Sequence, residues 1–302
     1  MDIKIENIKG LDNIIKHKKK PVPQSSHPDF PVNLFFTYCS FGMKNSGKTY
    51  SIVKLLSLFE QYPVKDVNGE TMENRIIWFS PTSNFSSNSI VHTLKSLDVD
   101  EDIYENVTEA VIEEVFNAVR AEKEMLLKKN DYIDAYKRFL KIKDPMRLKI
   151  QDILLLGEHN FEPPDKIFGH LKNKCYFFIL DDLIGQKDAV LGAKKNSFIS
   201  NLVIKHRHYG INLIFTSQEI KYIPPIIRSN LDIIQLFKTS SNRNLEKYYE
   251  EVSNILTFEE FEQLFKYCTE QPYGSLIINN HQSAKRRFWL NWDKALSVNG
   301  KS

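Results

Sequence analysis

The sequence predicts an α/β fold, with a mainly parallel sheet flanked by helices. Three observations point there. Short apolar runs bounded by turn residues alternate with stretches of helical spacing. One run, Cys175–Asp182, is apolar until its last two residues, as a strand buried on both faces should be. The octet Gly42-Met43-Lys44-Asn45-Ser46-Gly47-Lys48-Thr49 joins a strand-like segment to a helix-like one.

The 302 residues, 42% of them hydrophobic and carrying a formal net charge of +3, suffice for one large domain. That balance excludes both an acidic disordered chain and a histone-like polycation. No apolar run approaches the roughly 20 residues that cross a bilayer. Met1–Gly10 mixes charged and apolar residues, so neither a membrane span nor a secretory leader is expected. Cys39, Cys175 and Cys268 are too scattered for a metal set or a disulfide framework, which suits a reducing compartment.

Residues 1–32 read as a basic, proline-rich tail: Lys16-His17-Lys18-Lys19-Lys20 is followed by Pro21, Pro23, Pro28 and Pro31. Residues 33–302 read as the folded domain. Leu34–Phe41 is the first expected strand, followed by a glycine-containing loop and a helix carrying Ile52, Leu55, Leu56 and Phe59 on one face. Asn74–Ser80 and Cys175–Asp182 are the next strands, and about ninety residues separate them, too many for a loop. Asn106 with Glu109 forms a capping-box pattern ahead of Val111, Val115 and Val119, so a helical insert is expected over about 101–170. Its Tyr132, Tyr136 and Phe139 suit either a partner contact or packing on this chain's own core. Ile199, Leu202 and Val203 mark a helix stopped at Gly210, and Ile211–Thr216 and Leu231–Phe237 are the fourth and fifth strands. Gly274–Asn279 and Arg286–Trp292 read as an antiparallel hairpin at the sheet edge.

The octet fits G-x-x-x-x-G-K-[ST] at every defined position, and the chemistry explains the spacing. Glycines let the backbone fold around phosphate oxygens, so that consecutive N–H groups and the following helix N-terminus face the anion. The expected nucleotide-binding set is Gly42, Met43, Lys44, Asn45, Ser46, Gly47, Lys48, Thr49 and Tyr50. Lys48 would reach the β- and γ-phosphates, and the Thr49 hydroxyl would bind Mg²⁺. A second metal contact should end a buried strand, and Asp181 does so. Asp182 is the candidate general base for the attacking water, unless it merely caps the next turn. Gln218 ends the fourth strand. If that strand neighbours the third, its amide can sense phosphate or orient water.

Asp182-Leu183-Ile184-Gly185-Gln186 reads like a GTPase switch segment, but no [NT]-K-x-D tetrapeptide follows to read guanine. A P-loop kinase would share the octet but usually carries an arginine-rich lid.

The segment from Asn201 to Asn230 narrows the family. It contains Arg207-His208, Gly210, an apolar strand, Thr216-Ser217-Gln218 and Ile227-Arg228-Ser229-Asn230. With the Leu180-Asp181-Asp182 ending, it resembles the FtsK/HerA-type P-loop ATPases, and within them the genome-packaging ATPases of large DNA viruses, poxviruses and virophages. The resemblance covers roughly Leu34–Tyr248 without the insert. Asp181-Asp182 departs from the Asp-Glu usual in cellular members, and Asp182 is one methylene shorter as a base. The resemblance implies a RecA/ASCE-like P-loop NTPase, using ATP and Mg²⁺, that translocates double-stranded DNA as a homo-oligomeric ring and packages a viral genome. It also implies a capsid or portal-region partner, and a virus-infected cell (cytoplasmic factory or nucleus) or the virion as its place. An NTP-driven assembly or DNA-repair factor of the same superfamily is the alternative. Lys194, Lys195, Lys205, Arg207, Lys285, Arg286 and Arg287 are candidate DNA-channel cations. Arg207, expected at the amino end of the fourth strand, is the candidate to reach a neighbouring subunit's γ-phosphate. Arg228, expected on the nucleotide side, is a candidate sensor in its own subunit or the second candidate for that reach.

Overall fold

A computed structural model of the chain describes residues 23–67, 69–81, 102–142, 147–183, 197–239, 241–253, 256–283 and 286–297. The strands of its main sheet are β1 (Thr37–Phe41), β2 (Glu73–Phe79), β3 (Ile103–Tyr104), β4 (Lys174–Leu180), β5 (Ile211–Ser217), β6 (Ile233–Phe237), β7 (Ser275–Asn279), β8 (Phe288–Leu290) and β9 (Lys294–Leu296). The helices are α1 (Lys48–Gln61), α2 (Glu109–Ile142), α3 (Ile150–Gly157), α4 (Pro164–Phe168), α5 (Phe198–Tyr209), α6 (Pro225–Arg228), α7 (Asn242–Glu250) and α8 (Phe258–Thr269).

The sheet runs β9-β8-β7-β6-β1-β5-β4-β2-β3. The six strands from β6 to β3 are parallel, and β7, β8 and β9 add an antiparallel meander at one side. This is the expected mainly parallel sheet flanked by helices, and its antiparallel edge has one strand more than the expected hairpin. β5 lies between the strand that feeds the phosphate loop and the strand that ends in the carboxylates.

Alternating side chains separate two cores. Tyr38, Trp78, Phe177 and Ile179 face α1, where Ile52, Leu55, Leu56 and Phe59 are buried. Cys39, Phe79, Phe178 and Phe215 face the opposite layer, built from α2, α5, α7 and α8. All three cysteines are free and buried. Burial pushes the Cys175 and Cys268 thiols up to about 12, so they are packing residues.

Three expectations change in detail. The first strand begins at Thr37, because Phe35 has φ 61° and the Asn212 side chain accepts the Phe35 and Phe36 N–H groups at 2.7 and 3.3 Å. Residues 1–22 lie outside the described residues, but the rest of the tail is folded. Gln24–Ser25 pairs with Val64–Lys65, Val32 is buried, and Phe30 packs on Phe59. The insert is largely helical, yet β3 joins the sheet, and α2 bridges two environments. Its first half buries Ile112, Val115, Phe116 and Val119 in the main core. Its second half carries Tyr132, Tyr136 and Phe139 into a small core of its own with Leu148, Leu156, Phe161 and Phe168. The aromatic row therefore packs within this chain. Arg75, on β2, ties the insert to the sheet, holding Asp102 just before β3 at 2.8 Å and Glu122 of α2 at 2.9 Å.

Candidate nucleotide-binding site

The loop forms where β1 runs out. Gly42 N–H donates to Ser217 O at 3.1 Å, tying the loop to the end of β5, and α1 starts at Lys48. Two residues take left-handed backbone: Asn45 at φ 63° and Gly47 at φ 104°. Asn tolerates that region; at Gly47 a side chain would be strained. Gly42 is required for space, since a Cβ there would lie 2.5 Å from Ser46 Oγ and 2.8 Å from Phe237 Cβ. The Lys48 ammonium is buried and donates to the loop's own carbonyls, Gly42 O at 2.7 Å and Met43 O at 3.1 Å. Burial lowers its pKa, while the Asp182 and Asp181 charges oppose that shift. Met43, Lys44, Asn45 and Tyr50 are exposed around the loop, and Thr49 is partly buried in the first turn of α1.

Across β5, Asp181 follows the last residue of β4. Its backbone N–H donates to Phe79 O at 2.9 Å, and Asp182 turns away with φ 50°. Thr216 binds the pair. Its hydroxyl donates to Asp181 Oδ1 at 2.7 Å and accepts the Asp182 N–H at 2.8 Å. Burial pushes the Asp181 carboxyl up to about 6, with the Asp182 charge adding and the Thr216 hydroxyl and Lys48 opposing. A carboxyl in that state gains from a cation, and Mg²⁺ commonly takes only one or two protein ligands and keeps its waters. No group of three or more His, Cys, Asp or Glu residues forms a metal cage among the described residues. Gln218 is exposed directly after Ser217, level with the start of the loop, so β5 brings it between Gly42 and Asp181. Sequence reasoning missed Thr216 as a site residue, although it stands in the Thr-x-Gln pattern.

A direct sign that the loop fits an anion is Ser46 Oγ, buried and without a hydrogen-bond partner. The loop's glycine-shaped cradle, that unsatisfied hydroxyl and the buried ammonium together match the donor set that a polyphosphate needs.

The two arginines lie elsewhere. Arg207, in the last turn of α5, pairs with the buried Asp232, which also binds His281 and accepts the Thr37 N–H at 2.7 Å. Thr37 opens β1, so Arg207 is at the amino edge of the parallel strands, away from its own phosphate loop. Its neighbour His206 is buried against Thr37 Oγ1 at 2.9 Å and Ile211 O at 2.8 Å, and burial lowers its pKa. Arg228 corrects the expectation of a nucleotide-side position. It lies one turn before Leu231, close to the start of β6, and donates to Glu251 at 2.6 Å. The chain from Gln218 to Ile227 makes the return toward the start of β6, so Arg228, the last residue of α6, is reached only after it. Of the basic candidates, Lys205 is exposed, Arg286 pairs with Asp29, and Lys194, Lys195 and Lys285 lie outside the described residues. So does the switch-like segment beyond Leu183.

No protein-family profile matches the chain. It is 28% identical to an uncharacterized protein of Acanthamoeba polyphaga mimivirus over 118 residues, which is 39% of this chain and 40% of that protein. Solved structures of similar shape include the DNA-packaging ATPase of Sulfolobus turreted icosahedral virus, at TM-score 0.45 and 15% identity, covering 88% of this chain and 100% of that one. The genome-packaging NTPase of Sulfolobus turreted icosahedral virus 2 with ATP-gammaS gives a TM-score of 0.43 at 16% identity, covering 90% and 98%. The cytoplasmic domain of the type VII secretion ATPase EccC of Thermomonospora curvata gives 0.39 at 12%, covering 88% of this chain and 26% of that one. Packaging and secretion ATPases thus stand among its structural neighbours. No helix among the described residues is long and apolar enough to cross a membrane.

Proposed function

We propose that the chain is an Mg²⁺-dependent ATPase that translocates double-stranded DNA and packages a viral genome. The observation that carries hydrolysis is one edge of the sheet holding the Gly42–Thr49 loop, Gln218, and the Thr216-linked Asp181 and Asp182. Thr49 and Asp181 would hold Mg²⁺, which supplies charge to offset the phosphates. Lys48 would exchange its two loop carbonyls for phosphate oxygens. Asp182 would take the proton of the attacking water, and Gln218 would orient that water.

The DNA and packaging parts rest on the resemblance carried by Asp181-Asp182, Arg207-His208 and Ile227–Asn230. The match to a mimivirus protein agrees with a viral setting. In this reading the chain works as a homo-oligomeric ring with a capsid or portal-region protein as partner, in an infected cell or the virion. Arg207 would serve the neighbouring subunit.

The test is ATP hydrolysis with and without linear duplex DNA over a series of salt concentrations. Stimulation by DNA that fades steeply with salt is expected. Hydrolysis indifferent to DNA would favour the assembly or repair factor, and absence of Mg²⁺-dependent hydrolysis would overturn the reading.

A further inference from the structure

Tyr273 occupies the short turn between α8 and β7, and its ring lies against the phosphate loop. A Cβ built on Gly47 would be 3.2 Å from Tyr273 Cδ1, with Phe237 Cε1 behind at 3.5 Å. Despite that contact the residue is 68% exposed. Among the described residues its ring stacks on no other aromatic and its hydroxyl has no hydrogen bond. Its backbone is left-handed, at φ 62°, although Gly274 beside it would adopt that conformation at less cost. A bulky residue held in this region commonly marks function.

Strand order says what could meet the ring. The carboxylates that would hold the γ-phosphate end lie two strands from β1 on one side, at β4. Tyr273 leads into β7, two strands from β1 on the other side. With strands about 4.8 Å apart, β4 and β7 each lie roughly 10 Å from β1, on opposite sides of it. A triphosphate held by the loop with its γ end toward Asp181 therefore extends its nucleoside toward β6 and β7.

We propose that Tyr273 is the stacking platform for the nucleobase, a role that rests on the nucleotide-hydrolase reading above. An exposed aromatic face binds any base through its π-surface, without reading the base's edges. Binding at this position is therefore tolerant between adenine and guanine.

The experiment measures calorimetric binding of ATP, GTP and inorganic tripolyphosphate to the full chain and to Tyr273→Phe, Tyr273→Leu and Tyr273→Ala. Tyr273→Phe should bind all three as the wild type does. Tyr273→Ala and Tyr273→Leu should bind both nucleotides about ten- to a hundredfold more weakly, yet bind tripolyphosphate unchanged. The leucine variant keeps packing against Gly47, so it separates stacking from support of the loop. Equal losses for tripolyphosphate and ATP would assign Tyr273 to loop support and overturn the proposal. Unchanged ATP affinity in the alanine variant would overturn it while leaving the nucleotide reading intact. A wild-type chain that binds neither ATP nor tripolyphosphate would overturn both.

Discussion

Replacing Asp181 by Asn should stabilise the nucleotide-free protein while abolishing Mg²⁺-dependent hydrolysis. Burial raises the Asp181 carboxyl from its ordinary 3.8 to about 6. Folding therefore takes up a proton between those values. The contribution of this group to stability is fully present below about pH 4 and is lost as pH rises through about 6. Two units at about 1.4 kcal/mol each give about 3 kcal/mol of destabilisation at pH 8. Solvent at the partly exposed edge of the site reduces this to about 2 kcal/mol. Asn keeps an oxygen for the Thr216 hydroxyl, which lies 2.7 Å from Asp181 Oδ1, so the substitution removes the charge while keeping that contact. The assay is urea unfolding in chelator, without nucleotide, at pH 8 and near pH 4. The variant should be more stable by about 2 kcal/mol at pH 8, and the difference should close in acid. A variant no more stable than wild type at pH 8, or a gap that persists near pH 4, would refute the account of Asp181 as a buried charge awaiting a cation.

Lys48→Ala should abolish hydrolysis and weaken nucleotide binding, because the only buried ammonium described at the loop disappears; turnover and calorimetry read this directly. Asp182→Asn should retain ATP binding and lower turnover about 100-fold or more, whereas binding and turnover falling in proportion would make it a metal ligand. Gly47→Ala places a side chain at φ 104° and 3.2 Å from Tyr273, so it should cost about 1–3 kcal/mol in denaturant unfolding and impair phosphate binding. Arg207→Ala chains, inactive alone, should regain hydrolysis when mixed with Lys48→Ala chains. Two inactive variants that co-assemble without recovery at any ratio would exclude action across an interface.

The loop was readable because its chemistry is local: eight consecutive residues contain the glycines, the ammonium and the hydroxyl. Asp181 was readable for a similar reason, since the apolar run before it fixes a strand and the strand's end fixes the carboxylate. Gln218 depended on whether β5 neighbours β4, which periodicity does not say and the register does. Thr216, Tyr273 and the Arg228 position depended on contacts between distant segments. Nothing near Tyr273 in the sequence links it to Gly47, because their proximity arises from β7 pairing with β6. Arg228 was misplaced because Ile223-Pro224-Pro225 reads as a turn, and a turn does not reveal how far the chain travels before the next strand. The Tyr132, Tyr136 and Phe139 row showed helical spacing correctly, but spacing is blind to whether the partner is another protein or the next helix along.

The central position of β1 also governs when the loop can exist. Both its neighbours, β5 and β6, come from the second half of the chain, and the Thr37 N–H waits for a carboxylate 195 positions later. At about 5–20 residues per second, a ribosome needs roughly 10–40 s to supply that partner. Until then an apolar strand is held without a sheet, a natural client for chaperones. Nucleotide cannot assist earlier, because Gly42 N–H has no Ser217 carbonyl to anchor it. A chain cut before residue 211 carries the whole glycine-rich octet but neither of the strands that flank β1, nor the carbonyl that anchors Gly42.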